Sequence, residues 1–234
     1  MIRARTVGRA LDSLEGVFGR PRLGRRLPPL DELILTILSQ NTSDTNRDRA
    51  YASLRGRFRT WDEALRADPA DLEAAIRIGG LARIKSRVIR DVLARIRAEQ
   101  GSLSLDVLRA MPADDARRYL RSFKGVGEKT ACCVLLFSCG HAAFPVDTHI
   151  HRVARRLGWI PSAATPERAH AALAALVPPD RYLTAHVNLI TLGRRVCRAR
   201  APSCPACPLR RACAYARRMG RAGRSRRARA SRAG

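Results

Sequence analysis

Apolar residues recur at intervals of three and four along most of this chain, and Asp or Thr stands before many of the runs. That pattern buries one face of a helix, and no hairpin signal accompanies it. The spacing predicts helices over Val7–Phe18, Asp31–Ser39, Asp44–Phe58, Thr60–Ala67, Ala70–Ile78, Ile84–Glu99, Leu105–Ala110, Ala113–Ser122, Glu128–Cys139, Thr148–Leu157, Pro166–Val177 and Asp180–Gly193. The fold class is therefore all-α. Pro28-Pro29 interrupts the chain before the second helix, and Gly79-Gly80 and the stretch from Phe123 to Gly127 mark tight turns.

Charge narrows the partners. Forty-five Lys and Arg against 20 Asp and Glu give +25, a self-repulsion that a polyanion would relieve. Residues 214–234 hold eight arginines and no acid, and removing those eight from +25 still leaves +17, so the excess belongs to the folded part as well. Nucleic acid is the expected partner, although charge alone does not separate DNA from RNA or from an anionic membrane surface. The tail has no core pattern and is expected to stay disordered until it meets such a partner. The longest apolar run, Ala131 to Phe137, is too short to cross a bilayer. At the N-terminus, Asp12 and Glu15 interrupt an Arg-rich stretch, and Leu11, Leu14 and Phe18 fall at helical spacing, which reads as a structural helix rather than a transit peptide.

Seven cysteines without a secretory signal fit a reducing compartment and a metal better than a disulfide framework. Cys197, Cys204, Cys207 and Cys213 form C-x6-C-x2-C-x5-C, four thiols within 17 residues, enough for one site. Zinc and an iron–sulfur cluster both take four thiolates, though zinc more commonly uses two separated C-x2-C pairs. Cys132, Cys133 and Cys139 lie in an apolar helix and read as small hydrophobes. His149 and His151 lack a third ligand at useful spacing.

The segment Leu120-Arg121-Ser122-Phe123-Lys124-Gly125-Val126-Gly127-Glu128-Lys129-Thr130-Ala131 joins two helices through a Gly-x-Gly turn. Gly125 and Gly127 allow backbone to approach a surface closely, Val126 anchors the turn, and the amides that open the second helix can bind phosphate oxygens without reading bases. The segment resembles the hairpin of the helix-hairpin-helix glycosylase superfamily, and within it that of endonuclease III, which reads Leu-Pro-Gly-Val-Gly, a basic residue or Pro, then Lys-Thr-Ala. This chain departs from it at Lys124, where proline is usual, and at Glu128.

The resemblance places Lys129 on the catalytic lysine. It places Asp147, within Phe144-Pro145-Val146-Asp147-Thr148-His149-Ile150, on the catalytic aspartate, at the family's separation of 18 residues. A lysine attacks a sugar carbon only as a neutral amine, and a nearby carboxylate can orient or deprotonate it and stabilise positive charge on the sugar. Asp147 also reads as the N-cap of the helix that follows. The activity implied is a base-excision-repair DNA glycosylase with AP lyase activity. It would remove damaged, oxidised pyrimidines from duplex DNA and nick the strand by β-elimination. Two alternatives are a non-catalytic iron–sulfur DNA-binding protein and a monofunctional glycosylase. Adenine-removing relatives carry a glutamate four residues before Gln-Gln-Thr, whereas Thr36 stands at that offset before Gln40-Asn41-Thr42; thymine-removing relatives replace the lysine with tyrosine.

The same resemblance implies a [4Fe–4S] cluster on Cys197, Cys204, Cys207 and Cys213, with Arg198 and Arg200 of the first cysteine loop touching backbone phosphate. A damaged base must be flipped out of the duplex and the gap filled. Leu38-Ser39-Gln40-Asn41-Thr42-Ser43-Asp44 resembles the family's Leu-Ser-Ala-Gln-Ala-Thr-Asp, with the inserting glutamine matched to Asn41 by alignment or to Gln40 by chemistry. Leu81 matches the wedge on the opposite strand. The implied architecture is two helical domains with a DNA-binding cleft between them: a six-helix block over residues 29–146 with the hairpin, and a cluster domain of residues 148–213 joined by the N-terminal helix of residues 1–28. The expected partner is double-stranded DNA containing damaged bases or abasic sites, with no membrane, for a cytoplasmic monomer associated with the nucleoid if the source is prokaryotic.

Overall fold

A computed structural model describes residues 4–219 of the 234, and no strand occurs among them. Eleven α-helices are numbered here, ahead of a further helical stretch over 214–219: α1 Ala4–Phe18, α2 Pro29–Leu38, α3 Asp44–Arg57, α4 Trp61–Arg66, α5 Pro69–Ala75, α6 Ala82–Gln100, α7 Ala113–Arg121, α8 Glu128–Val134, α9 Thr148–Leu157, α10 Pro166–Leu176 and α11 Tyr182–Arg195. Their starts follow local chemistry. Side-chain oxygens of Ser43, Thr60, Asp68, Asp147 and Thr165 accept hydrogen bonds from amides in the first turns of α3, α4, α5, α9 and α10. Pro29, Pro69 and Pro166 open their helices, where a missing N–H costs nothing.

Several expected helices change type. Leu105–Ala110 is a 3-10 turn over Asp106–Arg109, and Ala70–Ile78 ends as α-helix at Ala75 and continues as a 3-10 turn over Arg77–Gly79. Glu128–Cys139 is α-helical only to Val134 and finishes as a π-helix over Leu135–Cys139. Asp180–Gly193 begins with a 3-10 turn over Pro179–Arg181, closed by the Arg181 amide donating to the Pro178 carbonyl at 2.9 Å. The tail was expected to lack structure from residue 214, but residues 214–219 are helical, and the Arg156 guanidinium stacks 5.0 Å from the Tyr215 ring. The rest of that tail lies outside the described residues.

The chain divides into two compact units, Leu23–Pro145 and the pair of segments Met1–Arg22 and Val146–Gly234. In the middle unit α2 is the central helix. Leu30, Leu33, Ile34, Ile37 and Leu38 are all buried, and α2 packs on α3, α6 and α8. The same core takes in Ile89, Val92, Leu93 and Ile96 from α6, and Ala131 and Val134 from α8. Each fully buried Leu or Ile contributes about 1.5–3 kcal/mol relative to exposure, so this helix anchors whatever its ends carry. The unit holds seven α-helices, α2 to α8, where six were expected; α4 and α5 are short, at six and seven residues. Residues 23–28, grouped by the sequence with the N-terminal helix, fall in this middle unit.

In the other unit α11 packs on α9 and α1. The fastening is polar as well as apolar. Arg181 donates to Asp12 at 2.7 Å and pairs with Glu15, and the buried Asn188 amide donates to the Gly19 carbonyl at 3.0 Å. Burial alone would raise the Glu15 carboxyl, but bonds from Arg181 and Arg20 hold it below the usual range.

Candidate functional site

The turn between α7 and α8 is built as the sequence suggests. Phe123 and Val126 are buried, and the Val126 amide donates to the Phe123 carbonyl at 3.1 Å. Gly125 has φ +84°, and a Cβ placed there would lie 2.9 Å from Val88, so glycine is required for both conformation and space. Gly127 is exposed and faces open space. Glu128 does not leave a bare anion at the turn: Arg117 and Arg121 of α7 reach its carboxylate at 3.3 and 3.1 Å.

Lys129 follows in the first turn of α8, half-buried. Across from it on α2 stands Glu32, a residue the sequence did not single out. Burial pushes the Glu32 carboxyl up to about 7, against the opposing pull of a 3.2 Å hydrogen bond from the Thr36 hydroxyl and the charges of Lys129 and Arg47. Thr36, at the offset where adenine-removing relatives carry a glutamate, is thus hydrogen-bonded to a carboxylate one turn earlier. The neighbouring Asp31 points elsewhere, accepting from the Tyr51 hydroxyl at 2.6 Å and the Trp61 indole at 3.2 Å.

The loop after α2 and the loop before α6 share a backbone feature. Asn41 and Leu81 both sit at φ 51°, the left-handed region that non-glycine residues rarely adopt, and both side chains are exposed. Gln40 is tied down instead, its side-chain amide donating to the Gly125 carbonyl at 3.3 Å. Leu81 is 49% exposed, with Ile78 and Ile84 exposed beside it in sequence.

In the other unit Asp147 caps α9 by accepting from the Ile150 amide at 2.7 Å, while its side chain keeps some exposure. Next to it, His149 is lowered by burial, and its Nδ1 accepts from Arg152 at 3.0 Å. The His151 Nε2 is 3.0 Å from the Ala164 carbonyl. Both imidazoles are engaged by protein groups.

Cys197, Cys204, Cys207 and Cys213 line one small cavity with Arg156 and Arg210, and none is in a disulfide. The Cys207 thiol is raised by burial and by the charges of the other three, which places all four in one electrostatic neighbourhood. Two arginines missed by sequence reasoning hold the first cysteine. Arg152 donates to the Cys197 carbonyl at 3.0 Å, and Arg156 bonds the Cys197 Sγ at 3.3 Å and the carbonyls of Arg198 and Ala199 at 2.7 and 2.9 Å. Their signal was the i, i+4 spacing on α9, which reads only as a basic face. Arg198 and Arg200 are exposed on that loop. Cys132 and Cys133 are buried in α8, and burial pushes the Cys132 thiol to about 12 and that of Cys139 to about 11, so both stay protonated at neutral pH.

Among the described residues no helix is long and apolar enough to cross a membrane. Residues 34–179 match the HhH-GPD superfamily of base excision DNA repair proteins. An endonuclease III from Thermotoga maritima is 35% identical over 201 residues, covering 86% of this chain and 90% of that protein. A putative DNA glycosylase of Arabidopsis thaliana, At3g47830, is 41% identical over 165 residues, 70% of this chain, which spans just over half (56%) of that relative's length. A solved non-covalent endonuclease III–DNA complex superposes with a TM-score of 0.81 at 28% identity, covering 94% of this chain and 100% of that one. The chain belongs to the endonuclease III family of HhH-GPD base-excision-repair DNA glycosylases.

Proposed function

We propose that this chain removes oxidised pyrimidines from duplex DNA and then nicks the strand, with Lys129 as nucleophile and Asp147 as the assisting carboxylate. The observation that carries this reading is the position of Lys129 in the first turn of α8, directly after an exposed Gly-x-Gly turn that requires glycine at its first position. In the reaction the neutral Lys129 amine bonds to the deoxyribose C1′ as the glycosidic bond breaks, and the base leaves with the bonding pair and takes up a proton. The ring opens to a Schiff base. Loss of a C2′ proton then expels the 3′ phosphate, and hydrolysis frees the lysine. The Asp147 carboxylate stabilises the cationic sugar and accepts the lysine proton.

Gly125, Val126 and Gly127, together with Arg198 and Arg200, serve as phosphate contacts. Asn41 fills the gap left by the flipped base, because Gln40 is committed to the Gly125 carbonyl, and Leu81 enters from the other side. The protein acts as a monomer. Four thiols free of disulfides around one cavity fit a [4Fe–4S] cluster, held by Cys197, Cys204, Cys207 and Cys213. When bound, it supplies a covalent cross-link that fixes the loop bearing Arg198 and Arg200.

Borohydride trapping on abasic duplex tests the proposal. Wild type should form a covalent adduct, and Lys129→Ala should form none. Asp147→Asn keeps a capping side chain, so its circular dichroism should match wild type while base release falls about 100-fold or more. A wild-type protein that binds lesion duplex but never traps would overturn the lyase assignment.

A further inference from the structure

We propose that Lys85 is a positioning residue that holds the loops bearing Asn41 and Leu81 in one fixed arrangement. The proposal rests on the reading of those two side chains as the pair that enters the duplex. Lys85 lies in the first turn of α6 and is 2% exposed, and its ammonium donates to the Leu38 carbonyl and to the Gly79 carbonyl, both at 2.8 Å. Leu38 is the last residue of α2, three positions before Asn41, and Gly79 ends the 3-10 turn two positions before Leu81. One cation therefore grips the backbone immediately behind both loops.

Three observations favour positioning over simple packing. Burying an ammonium is costly, whereas a methionine of similar length would fill the same space without that penalty. Both residues in question lie in the left-handed region, with Ala201 the third non-glycine residue there among those described: Asn41 and Leu81 share φ 51°, a conformation that costs on the order of 1–2 kcal/mol for leucine and less for asparagine. Finally, Lys85 is not the only tie. The Gln40 amide bonded to the Gly125 carbonyl links the first loop to the hairpin, so three otherwise separate turns are joined through side-chain-to-backbone hydrogen bonds. Both carbonyls end helical turns, which attract a cation, but neither helix end alone accounts for one ammonium bonded to two separate segments.

The test is a double-mutant comparison in single-turnover base release from a lesion duplex. Lys85→Met should slow release about tenfold or more, since small misplacements of positioned groups carry such costs. Affinity for undamaged duplex, which depends on phosphates, should stay within about twofold. Placed in an Asn41→Ala/Leu81→Ala background, the same substitution should add less than about twofold, because the side chains it positions are gone. Lys85→Arg, which keeps the charge, should recover most of the loss. Equal losses in both backgrounds, or none in either, would overturn the proposal. An Asn41→Ala/Leu81→Ala protein as fast as wild type would instead sink the reading of those two residues, and the role of Lys85 with it. Lys85→Gln, which keeps two donors on a shorter stem, serves the same comparison if Lys85→Met does not fold.

Discussion

Glu32 is a carboxyl that burial has moved to about 7, within reach of the charge on Lys129. Its unfolded value of 4.5 is lower, so the folded state holds the proton more tightly. The stability from this site is fully present below pH 4.5 and is lost as pH rises through about 7. Glu32→Gln, which cannot ionise, should match wild type at pH 4 and exceed it by about 3 kcal/mol at pH 8 in urea unfolding. A mutant no more stable than wild type at pH 8 would mean that the Lys129 charge fully compensates the burial. Residues of this kind escape a sequence reading: Glu32 looks like one of two acids suited to a helix N-terminus, and Lys85 like any surface lysine of an amphipathic helix. Both are decided by what packs across from them, the face of α8 in one case and the end of α2 in the other. Lys129 and Asp147 stood out because motif and spacing are local.

At the scale of elements, the hairpin is the most demanding piece. Gly125→Ala would add strain at φ +84° and a Cβ 2.9 Å from Val88, and should cost about 1–3 kcal/mol with weaker binding to any duplex. Gly127→Ala meets nothing within 4 Å, so it should leave thermal unfolding nearly unchanged while reducing DNA affinity. A pair of variants that lose stability equally would contradict the idea that the second glycine serves an approaching surface. Helix existence was legible almost throughout, because apolar spacing survives any tertiary arrangement; α9, capped by Asp147 and closed by Gly158, falls where the sequence places it, over Thr148–Leu157. Helix type was not. Whether Leu135–Cys139 closes as α or π, or Asp106–Arg109 as α or 3-10, depends on where backbone carbonyls find partners, which apolar periodicity does not encode.

For the whole molecule, charge dominates. If about six phosphates are contacted, affinity for duplex DNA should fall on the order of a thousandfold between 50 and 200 mM salt, as read by fluorescence anisotropy. A flat response would remove the electrostatic part of the functional reading. The division of the chain also sets an order of events during synthesis. Leu23–Pro145 is continuous and can fold as soon as it leaves the ribosome, at about 5–20 residues per second. The other unit cannot, since α1 emerges ahead of the middle unit yet must wait for Arg181, just before α11, and for Asn188 within it. Until then the apolar face of α1, with Val7, Leu11 and Leu14, lacks α11, the helix it packs on. A helix made ahead of the middle unit is thus buried after it, and a nascent chain stalled before residue 181 would be the form most in need of a chaperone.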